Sequence, residues 1–188
     1  MKIGLISDTH IPDYHDEPPE QIKDAFAGVE LILHAGDIYE SSCLDWLETI
    51  APVVPCEGNG DYLRSIEDGR IKRSQVLELE GFKIGLTHAI PIPEIEPYAT
   101  LEKTMEREFD GPVDIIVYGD THVEEIVWLK GVLLINPGSP TLPHNLTHLL
   151  GTVGILEITD GTVEAKILRI DPFEELDMEN KKQWWSVR

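Results

Sequence analysis

The sequence predicts an α/β fold, in which a mixed, largely parallel sheet or pair of sheets is flanked by helices. Three observations predict it. Near the N-terminus, apolar runs of strand length alternate with helix-like segments, an order typical of parallel sheets with crossover helices. Two hairpin-like pairs of strands come later in the chain. Hydrophobic residues make up 41% of the 188 residues, which is enough to bury a sizeable core.

The N-terminal part of the chain predicts a β-α-β-α-β run. Pro19 opens the first helix, because proline is favoured in a first helical turn, and Gly28 ends it. The predicted elements are, in order, a strand at 3–6, a helix at 19–27, a strand at 31–33, a helix at 40–50 and a short strand at 53–54.

Two turn dipeptides predict the hairpins. Glu80-Gly81 separates apolar runs at 75–79 and 83–87, and Asp160-Gly161 separates runs at 152–158 and 164–170. Between the two hairpins, the pattern predicts a helix near 100–109 and strands at 115–118, 125–129 and 132–135.

The length fits one domain better than two. We expect the domain to span residues 1–170 and a C-terminal tail to span residues 171–188. The tail contains Trp184 and Trp185 near its end, and we expect it to pack back on the domain. A contact with a second copy or a partner is the alternative, because exposed tryptophans would leave an apolar patch in water.

The chain is strongly acidic. It holds 35 acidic against 15 basic residues, a formal charge of −20. Such a surface repels polyanions and offers no basic patch, so we expect no nucleic-acid partner. Most of the acidity is explained by solubility or by adaptation to salt, and a few of the acids could surround bound cations.

The sequence shows no pattern typical of a membrane or secreted protein. No apolar run reaches the roughly 18–20 residues that a membrane span requires. The N-terminus reaches Asp8 too soon to hold a signal-peptide core. Cys43 and Cys56 have no zinc-site spacing and suggest no disulfide framework. We therefore expect a cytoplasmic protein without a membrane partner.

Side chains that can bind metals follow five of the predicted strands, at the edge of an α/β sheet where ligands bind. Extended backbone points residues i and i+2 to the same side, so each Asp-x-His pair is expected to reach one centre. Carboxylate, amide and imidazole groups together suit Mn²⁺, Fe²⁺ or Zn²⁺. These residues are Asp8, His10, Asp37, Asn59, His88, Asp120 and His122.

These motifs, in this order, resemble those of the calcineurin-like metallophosphoesterases. The length and the run Asn136-Pro137-Gly138-Ser139 are similar to the small single-domain YfcE-type phosphodiesterases, and also to the retromer subunit of the same fold. The resemblance covers roughly residues 1–170. It implies a two-layer mixed β-sandwich with helices on both outer faces (αββα) and a two-metal site at one edge.

Carried over by position, the resemblance implies one metal held by Asp8, His10, Asp37 and His122. Asp37 would bridge to a second metal, held also by Asn59, His88 and the residue at position 120. The implied reaction is hydrolysis of a small phosphoester, in particular a phosphodiester, by a hydroxide that bridges the metals. Asp37, Asn59 and His88 are the implied catalytic residues.

The same resemblance implies two divalent metal ions. Mn²⁺ is expected first, and Ni²⁺, Fe²⁺ or Zn²⁺ are the alternatives. The implied partner is the small substrate, with a homo-oligomer left open. An inactive or weakly active protein-interaction scaffold on the same fold is the alternative function.

Two positions depart from the family pattern. Asp120 stands where the family usually has histidine, and the added negative charge should favour harder cations such as Mn²⁺. Gly60 stands where the family usually has His or Cys, and in larger relatives that histidine is a candidate proton donor to the leaving group. His144 and the loop at 13–17 are candidate substitutes, although a solvated surface position is the simpler expectation for each. We expect His34 and Asp61 to support the ligands, and Asn136 either to orient a ligand or to cap a turn.

Overall fold

Residues 1–91 and 98–179 are described by a computed structural model, in which eleven strands form two sheets. Most strands match the predicted apolar runs to within one or two residues at each end. In chain order they are β1 Lys2–Ile6, β2 Leu31–His34, β3 Val53–Pro55, β4 Ser74–Leu79, β5 Phe82–Thr87, β6 Ile115–Val117, β7 Glu125–Leu129, β8 Val132–Asn136, β9 Thr152–Thr159, β10 Thr162–Ile170 and β11 Phe173–Glu175.

The helices are short and lie between the strands. They are α1 Gln21–Ala25, α2 Ser41–Glu48, α3 Asn59–Arg64 and α4 Leu101–Phe109, with a 3-10 helix at Pro143–Asn145. Helix α3 and strand β11 were not predicted from the sequence. None of the helices in the described residues is long and apolar enough to cross a membrane.

The two sheets are both mixed. One has the order β11-β10-β9-β1-β2-β3 and the other β4-β5-β6-β8-β7. Four strand pairs are parallel and five are antiparallel, so the expectation of a largely parallel arrangement is wrong. The reason is that hairpins extend both sheets, and that β9 returns antiparallel beside β1. The parallel part is confined to β1-β2-β3 and β5-β6-β8.

Three apolar clusters define the layers. The central one joins both sheets, with Leu5 and Leu33 from one sheet and Leu86 and Ile135 from the other. A second cluster packs α1 and α2 on the outer face of the first sheet, and a third packs α4 on the outer face of the second sheet. The predicted αββα sandwich is therefore confirmed, since the order of layers is helices, sheet, sheet, helix.

The C-terminal end of the chain is described only in part. Residues 173–175 form β11, which pairs with β10 at the edge of the six-stranded sheet. Trp184 and Trp185 lie outside the described residues, and the division of the chain after residue 170 stays a prediction.

A buried polar pair lies beside β6, in the layer covered by α4. The Tyr118 hydroxyl donates a hydrogen bond to Oε2 of Glu125, while Oε1 of Glu125 is buried without a hydrogen-bond partner in the described part of the chain. Burial raises the pKa of Glu125 to about 7, although the Tyr118 hydrogen bond lowers it. An ionised Glu125 is therefore costly to the fold.

We expect Glu125→Gln to remove a pH dependence of stability. The pKa of Glu125 rises from 4.5 to about 7 on folding, so its contribution to stability is complete below pH 4.5 and is lost as the pH rises through 7. Glutamine does not titrate. Urea denaturation across this pH range should show the free energy of unfolding of the variant rising relative to that of the wild type, by roughly 3 kcal/mol at most, as the pH increases. Glu106→Gln on the exposed face of α4 is the control, and a pH-independent difference at position 125 would contradict the expectation.

Candidate metal centre

The seven ligand-type residues come together at one edge of the sandwich. This edge is formed by the C-terminal ends of the parallel strands β1, β2 and β3 in one sheet and of β5 and β6 in the other. Five of the seven are buried, whereas Asn59 and Asp120 are exposed. The buried ones are Asp8, His10, Asp37, His88 and His122.

Two groups of buried ligand atoms share Asp8. Asp8, His10 and His122 each offer an atom within 4.8 Å of the others, and so do Asp8, Asp37 and His88. The carboxylate of Asp37 lies between the groups, because its Oδ2 is 3.2 Å from Nε2 of His10 and its Oδ1 is 3.7 Å from Nε2 of His88. The arrangement is that of two adjoining cation positions.

The two exposed candidates lie against His88. Oδ1 of Asn59 is 2.9 Å from Nε2 of His88, and Oδ1 of Asp120 is 3.5 Å from the same atom. On its other side, His88 holds the Ala35 carbonyl, to which Nδ1 donates at 2.7 Å. This hydrogen bond fixes the ring and turns Nε2 toward the centre. Asp120 belongs to neither buried group, and its side chain is 42% exposed.

The backbone that presents these ligands is left-handed rather than extended. Asp8, His10, Asp120 and His122 have φ of 54°, 49°, 69° and 57°, so the expectation that strand alternation brings each Asp-x-His pair to one side is wrong. Left-handed conformations are uncommon for residues other than glycine and concentrate at functional sites. Hydrogen bonds between loops hold them, since the N–H of Asp8 donates to the Gly36 carbonyl at 2.9 Å.

The centre is electrostatically unusual. Burial raises the pKa of Asp8 to about 7, although His88 opposes the shift. Burial, followed by the charge of His10, lowers the pKa of His122 to about 4. Burial also raises the pKa of Asp37, but the His10 hydrogen bond and His88 outweigh it, so the pKa lies below its usual value. Burial lowers the pKa of His88, but Asp8 and Asp37 raise it above normal.

The residues expected to support the ligands do so by identifiable contacts. His34 accepts from the N–H of Gly36 at Nδ1, 3.2 Å away, so its Nε2 carries the proton that reaches Thr9 at 3.0 Å. Burial lowers the pKa of His34 to about 3, which keeps the ring neutral. Asp61 accepts at 2.8 Å from the N–H groups of Ile38, Tyr39 and Gly58. It thereby ties the loop of Asp37 to the start of α3.

Asn136 caps a turn, which confirms one of the two alternatives expected for it, and its other hydrogen bonds in the described residues go to loop atoms rather than to a ligand side chain. Its amide donates to the Gly119 carbonyl at 2.8 Å and to the Thr121 hydroxyl at 3.0 Å, which steadies the turn that carries Asp120. Its Oδ1 accepts from the N–H of Gly138 at 2.9 Å, which caps the following turn. One side chain therefore connects the end of β8 to the loop after β6.

The donor set fits divalent cations. Nδ1 of His10 and Nδ1 of His122 are buried and have no hydrogen-bond partner in residues 1–91 and 98–179. Unpartnered buried nitrogens are rare in folded proteins and need an explanation, such as an ion. The backbone is also fitted closely around the carboxylates, because a side chain at Gly58 would overlap Asp37 and one at Gly119 would overlap Ser7 and Asp8. Carboxylate and imidazole ligands together suit divalent first-row metals such as Mn²⁺, Fe²⁺ or Zn²⁺.

Tyr39 was missed by the sequence analysis, and it accounts for the departure at Gly60. A Cβ atom at position 60 would overlap the Tyr39 ring and lie 2.9 Å from its hydroxyl oxygen. The ring stacks on His10 at 4.7 Å between centroids, and the guanidinium of Arg64 lies over the same ring at 4.1 Å from its centroid. Arg64 is in turn paired with Asp13. Nothing in the motif pattern marks Tyr39, because no spacing rule connects it to position 60.

His144 lies at the rim of the same edge. Its Nε2 is 2.8 Å from Oε2 of Glu124, and its N–H donates to the His122 carbonyl at 3.0 Å. Its side chain is 47% exposed. The expected surface position is therefore correct, with an ion-pair partner that the sequence did not indicate.

We expect Gly60→Ala to destabilise the protein by about 1–3 kcal/mol, the usual cost of overpacking. Helix propensity alone predicts the opposite sign, since Gly60 lies in α3 and alanine is favoured in helices. Urea denaturation measures the difference. Gly69→Ala is the matched control, because a Cβ there meets nothing within 4 Å. A double-mutant cycle with Tyr39→Ala should recover part of the loss, and stabilisation by Gly60→Ala alone would contradict the packing argument.

Comparison with known proteins gives a family and a fold. The family model of the calcineurin-like phosphoesterase superfamily domain matches residues 1–161. A "Probable metallophosphoesterase" of Methanothermobacter thermautotrophicus is 41% identical over 169 residues, which cover 90% of this chain and 92% of that protein. A phosphodiesterase of Methanocaldococcus jannaschii is 28% identical over 171 residues, covering 84% and 93%.

Among solved structures, Vps29 of Entamoeba histolytica in complex with Zn²⁺ has a TM-score of 0.71 to this chain. The sequence identity is 24%, and the match covers 95% of this chain and 99% of that one. At this identity the likeness shows the fold, which agrees with the two mixed sheets described above. With most of its length matched by the family model, this chain belongs to the calcineurin-like phosphoesterase superfamily.

Proposed function

We propose that this protein hydrolyses a small phosphodiester with two divalent metal ions, Mn²⁺ first among them. The observation that carries the proposal is the pair of buried ligand groups that share Asp8. Membership of the metallophosphoesterase family and similarity to a phosphodiesterase support the reaction class. Such cations, when bound, supply Lewis acidity toward phosphoryl oxygens and lower the pKa of a water molecule.

The residues of the chain divide this work among them. Asp8, His10 and His122 would hold one cation, and Asp37, Asn59 and His88 would hold the other together with Asp8. Asp120 would complete the second position. The Ala35 carbonyl keeps the proton of His88 on Nδ1, which leaves Nε2 as the ligand nitrogen. The N–H of Gly60 holds Oδ1 of Asp37 at 2.8 Å and so orients the carboxylate between the two positions.

The acidity of the site supports Mn²⁺ over softer cations. Asp8, Asp37 and Asp120 contribute three carboxylates, and no cysteine lies among the proposed ligands. Hard oxygen ligands favour Mn²⁺, although availability in the cell also decides which metal is bound. A cytoplasmic location and a homo-oligomer remain predictions from the sequence.

Asp37→Asn should abolish most of the activity, because it removes charge from the position between the two cations. Even residues that only support metal ligands cost about 10- to 100-fold when mutated, so we expect a loss of at least that size. The measurement is hydrolysis of bis(p-nitrophenyl) phosphate by the Mn²⁺-loaded protein. Asp160→Asn, the same change in an exposed turn, is the control. Equal rates for Asp37→Asn and the wild type would refute the proposal.

Asp120→Asn should weaken one metal position and spare the other. We expect its affinity for the second Mn²⁺ to fall about 10- to 100-fold, while the first is retained by the buried group around His10. Calorimetric titration of the metal-free protein measures both affinities. Asp120→His, the residue that the family usually has there, should keep two positions. Unchanged binding in Asp120→Asn would mean that this carboxylate is not a ligand.

A scaffold that has lost its chemistry is the competing function. The departures at Gly60 and Asp120 favour it, and elemental analysis separates the two. A scaffold has no need for metal, whereas the proposed enzyme requires two ions per chain. Five buried ionisable side chains converge at this site, and burying them without a ligand would cost stability that no interaction offsets. This favours a metal-binding enzyme over a scaffold.

A further inference from the structure

An open cleft of about 630 Å³ adjoins the metal centre on the side of Asn59 and His88, which line it. Its volume lies within the range of small-molecule sites. The proposed metal ligands border this space but do not fill it. The cleft is therefore available to the part of a substrate that does not react.

One wall of the cleft is apolar and aromatic. Tyr62 and Leu63 of α3 line it, and they are among the most exposed large hydrophobic side chains of the described residues, at 71% and 79%. Side chains of this kind beside a polar centre are suited to the flat face of an aromatic ring.

Two arginines also line the cleft. Arg73 precedes β4 and Arg107 lies in α4, and both donate to the same oxygen, Oε1 of Glu108, at 3.3 and 2.6 Å. The Glu108 side chain is only 7% exposed, so it acts as an anchor for the two guanidinium groups. In residues 1–91 and 98–179, neither guanidinium makes a further hydrogen bond, which leaves most of its five donors unused.

The charge of the cleft lining contrasts with that of the chain. The carboxylate of Glu108 holds two guanidinium groups, and Glu57 also lines the cleft. The charges of these four side chains therefore sum to zero, on a protein whose formal charge is −20. The unused guanidinium donors match the geometry of a phosphate group, which binds arginine through paired hydrogen bonds. The cleft thus offers a ring-binding surface and an anion-binding surface beside the reacting centre.

We propose that the cleft binds the non-leaving substituent of the substrate, and that this substituent carries an aromatic ring and a second phosphate, as in a nucleoside bisphosphate. The inference rests on the proposed phosphodiesterase function and adds the substrate class to it. Arg73 and Arg107 bind the second phosphate, and Tyr62 contacts the ring. These residues determine specificity and take no part in the bond cleavage.

Two chromogenic substrates test the second phosphate. Thymidine 5′-(4-nitrophenyl phosphate) and its 3′-phosphorylated derivative share the leaving group and the nucleoside, and differ only in the added phosphate. With the Mn²⁺-loaded full chain, we expect kcat/KM to be about tenfold higher for the phosphorylated substrate, the size of a charge-assisted hydrogen bond. Without the arginine site the sign should reverse, because the acidic chain repels the added charge.

The double variant Arg73→Gln/Arg107→Gln should lose this preference, which is measured as the ratio of kcat/KM for the two substrates. Arg169→Gln removes one positive charge, against two in the double variant, from an ion pair with Glu174 on the other sheet, and should keep the preference. A fold defect would lower kcat/KM equally for both substrates and leave the ratio of the two values unchanged. Equal kcat/KM for the two substrates in the wild type, or a preference that survives in the double variant, would overturn the proposal.

Failure of the proposed function is distinguishable from failure of this inference. If the wild type hydrolyses neither substrate, the phosphodiesterase proposal fails and the cleft is tested by binding alone. Calorimetry with thymidine 3′,5′-bisphosphate should then give an affinity that falls about tenfold in the double variant and is unchanged in Arg169→Gln. Equal affinity in all three proteins would overturn the cleft assignment.

Discussion

The buried carboxylate of Asp8 is the constraint on which the candidate metal centre depends. It is fully buried, it belongs to both ligand groups, and Asp37 lies beside it. Burial of a charge without a partner costs several kcal/mol, and a protein avoids that cost by protonation or by a cation. The raised pKa of Asp8 corresponds to the first response, and a bound cation would be the second. The Ser7 hydroxyl, which donates to Asp8 at 2.5 Å, offsets only part of the lost hydration.

The loops around this carboxylate also turn their side chains toward the centre. Left-handed residues at Asp8, His10 and Asp37 turn their side chains inward at a cost in backbone energy, and hydrogen bonds between the β1 and β2 loops hold them there. Asp61 and Asn136 carry out the same function for the neighbouring loops. Rigid strands thus bring the loops together, and side-chain hydrogen bonds determine their final form. This is how a site with few large side chains becomes well defined.

The sequence predicts the parts of this arrangement that depend on residue chemistry. Seven candidate ligand residues at five strand ends could be found because few residue types bind metals and because parallel strands end at a common edge. The left-handed backbone could not be found, since Asp and His carry no sign of it as glycine would. Helix α3 was missed because Gly58 and Gly60 are poor helix formers, and only the tertiary contacts of Asp61 show why the helix begins there. Tyr39 was missed because its role depends on packing alone.

The net charge limits how such a site can meet its substrate. A chain of formal charge −20 repels a phosphodiester at long range, and salt screens that repulsion only beyond about 8 Å at physiological ionic strength. Close to the protein, attraction must come from local positive charge. The metal centre would supply it through bound cations, and in the proposed cleft Arg73 and Arg107 would supply it on one side of that centre. A substrate with one phosphate at each position would satisfy both, which makes the spacing between its phosphates, rather than its total charge, the feature that such a surface selects.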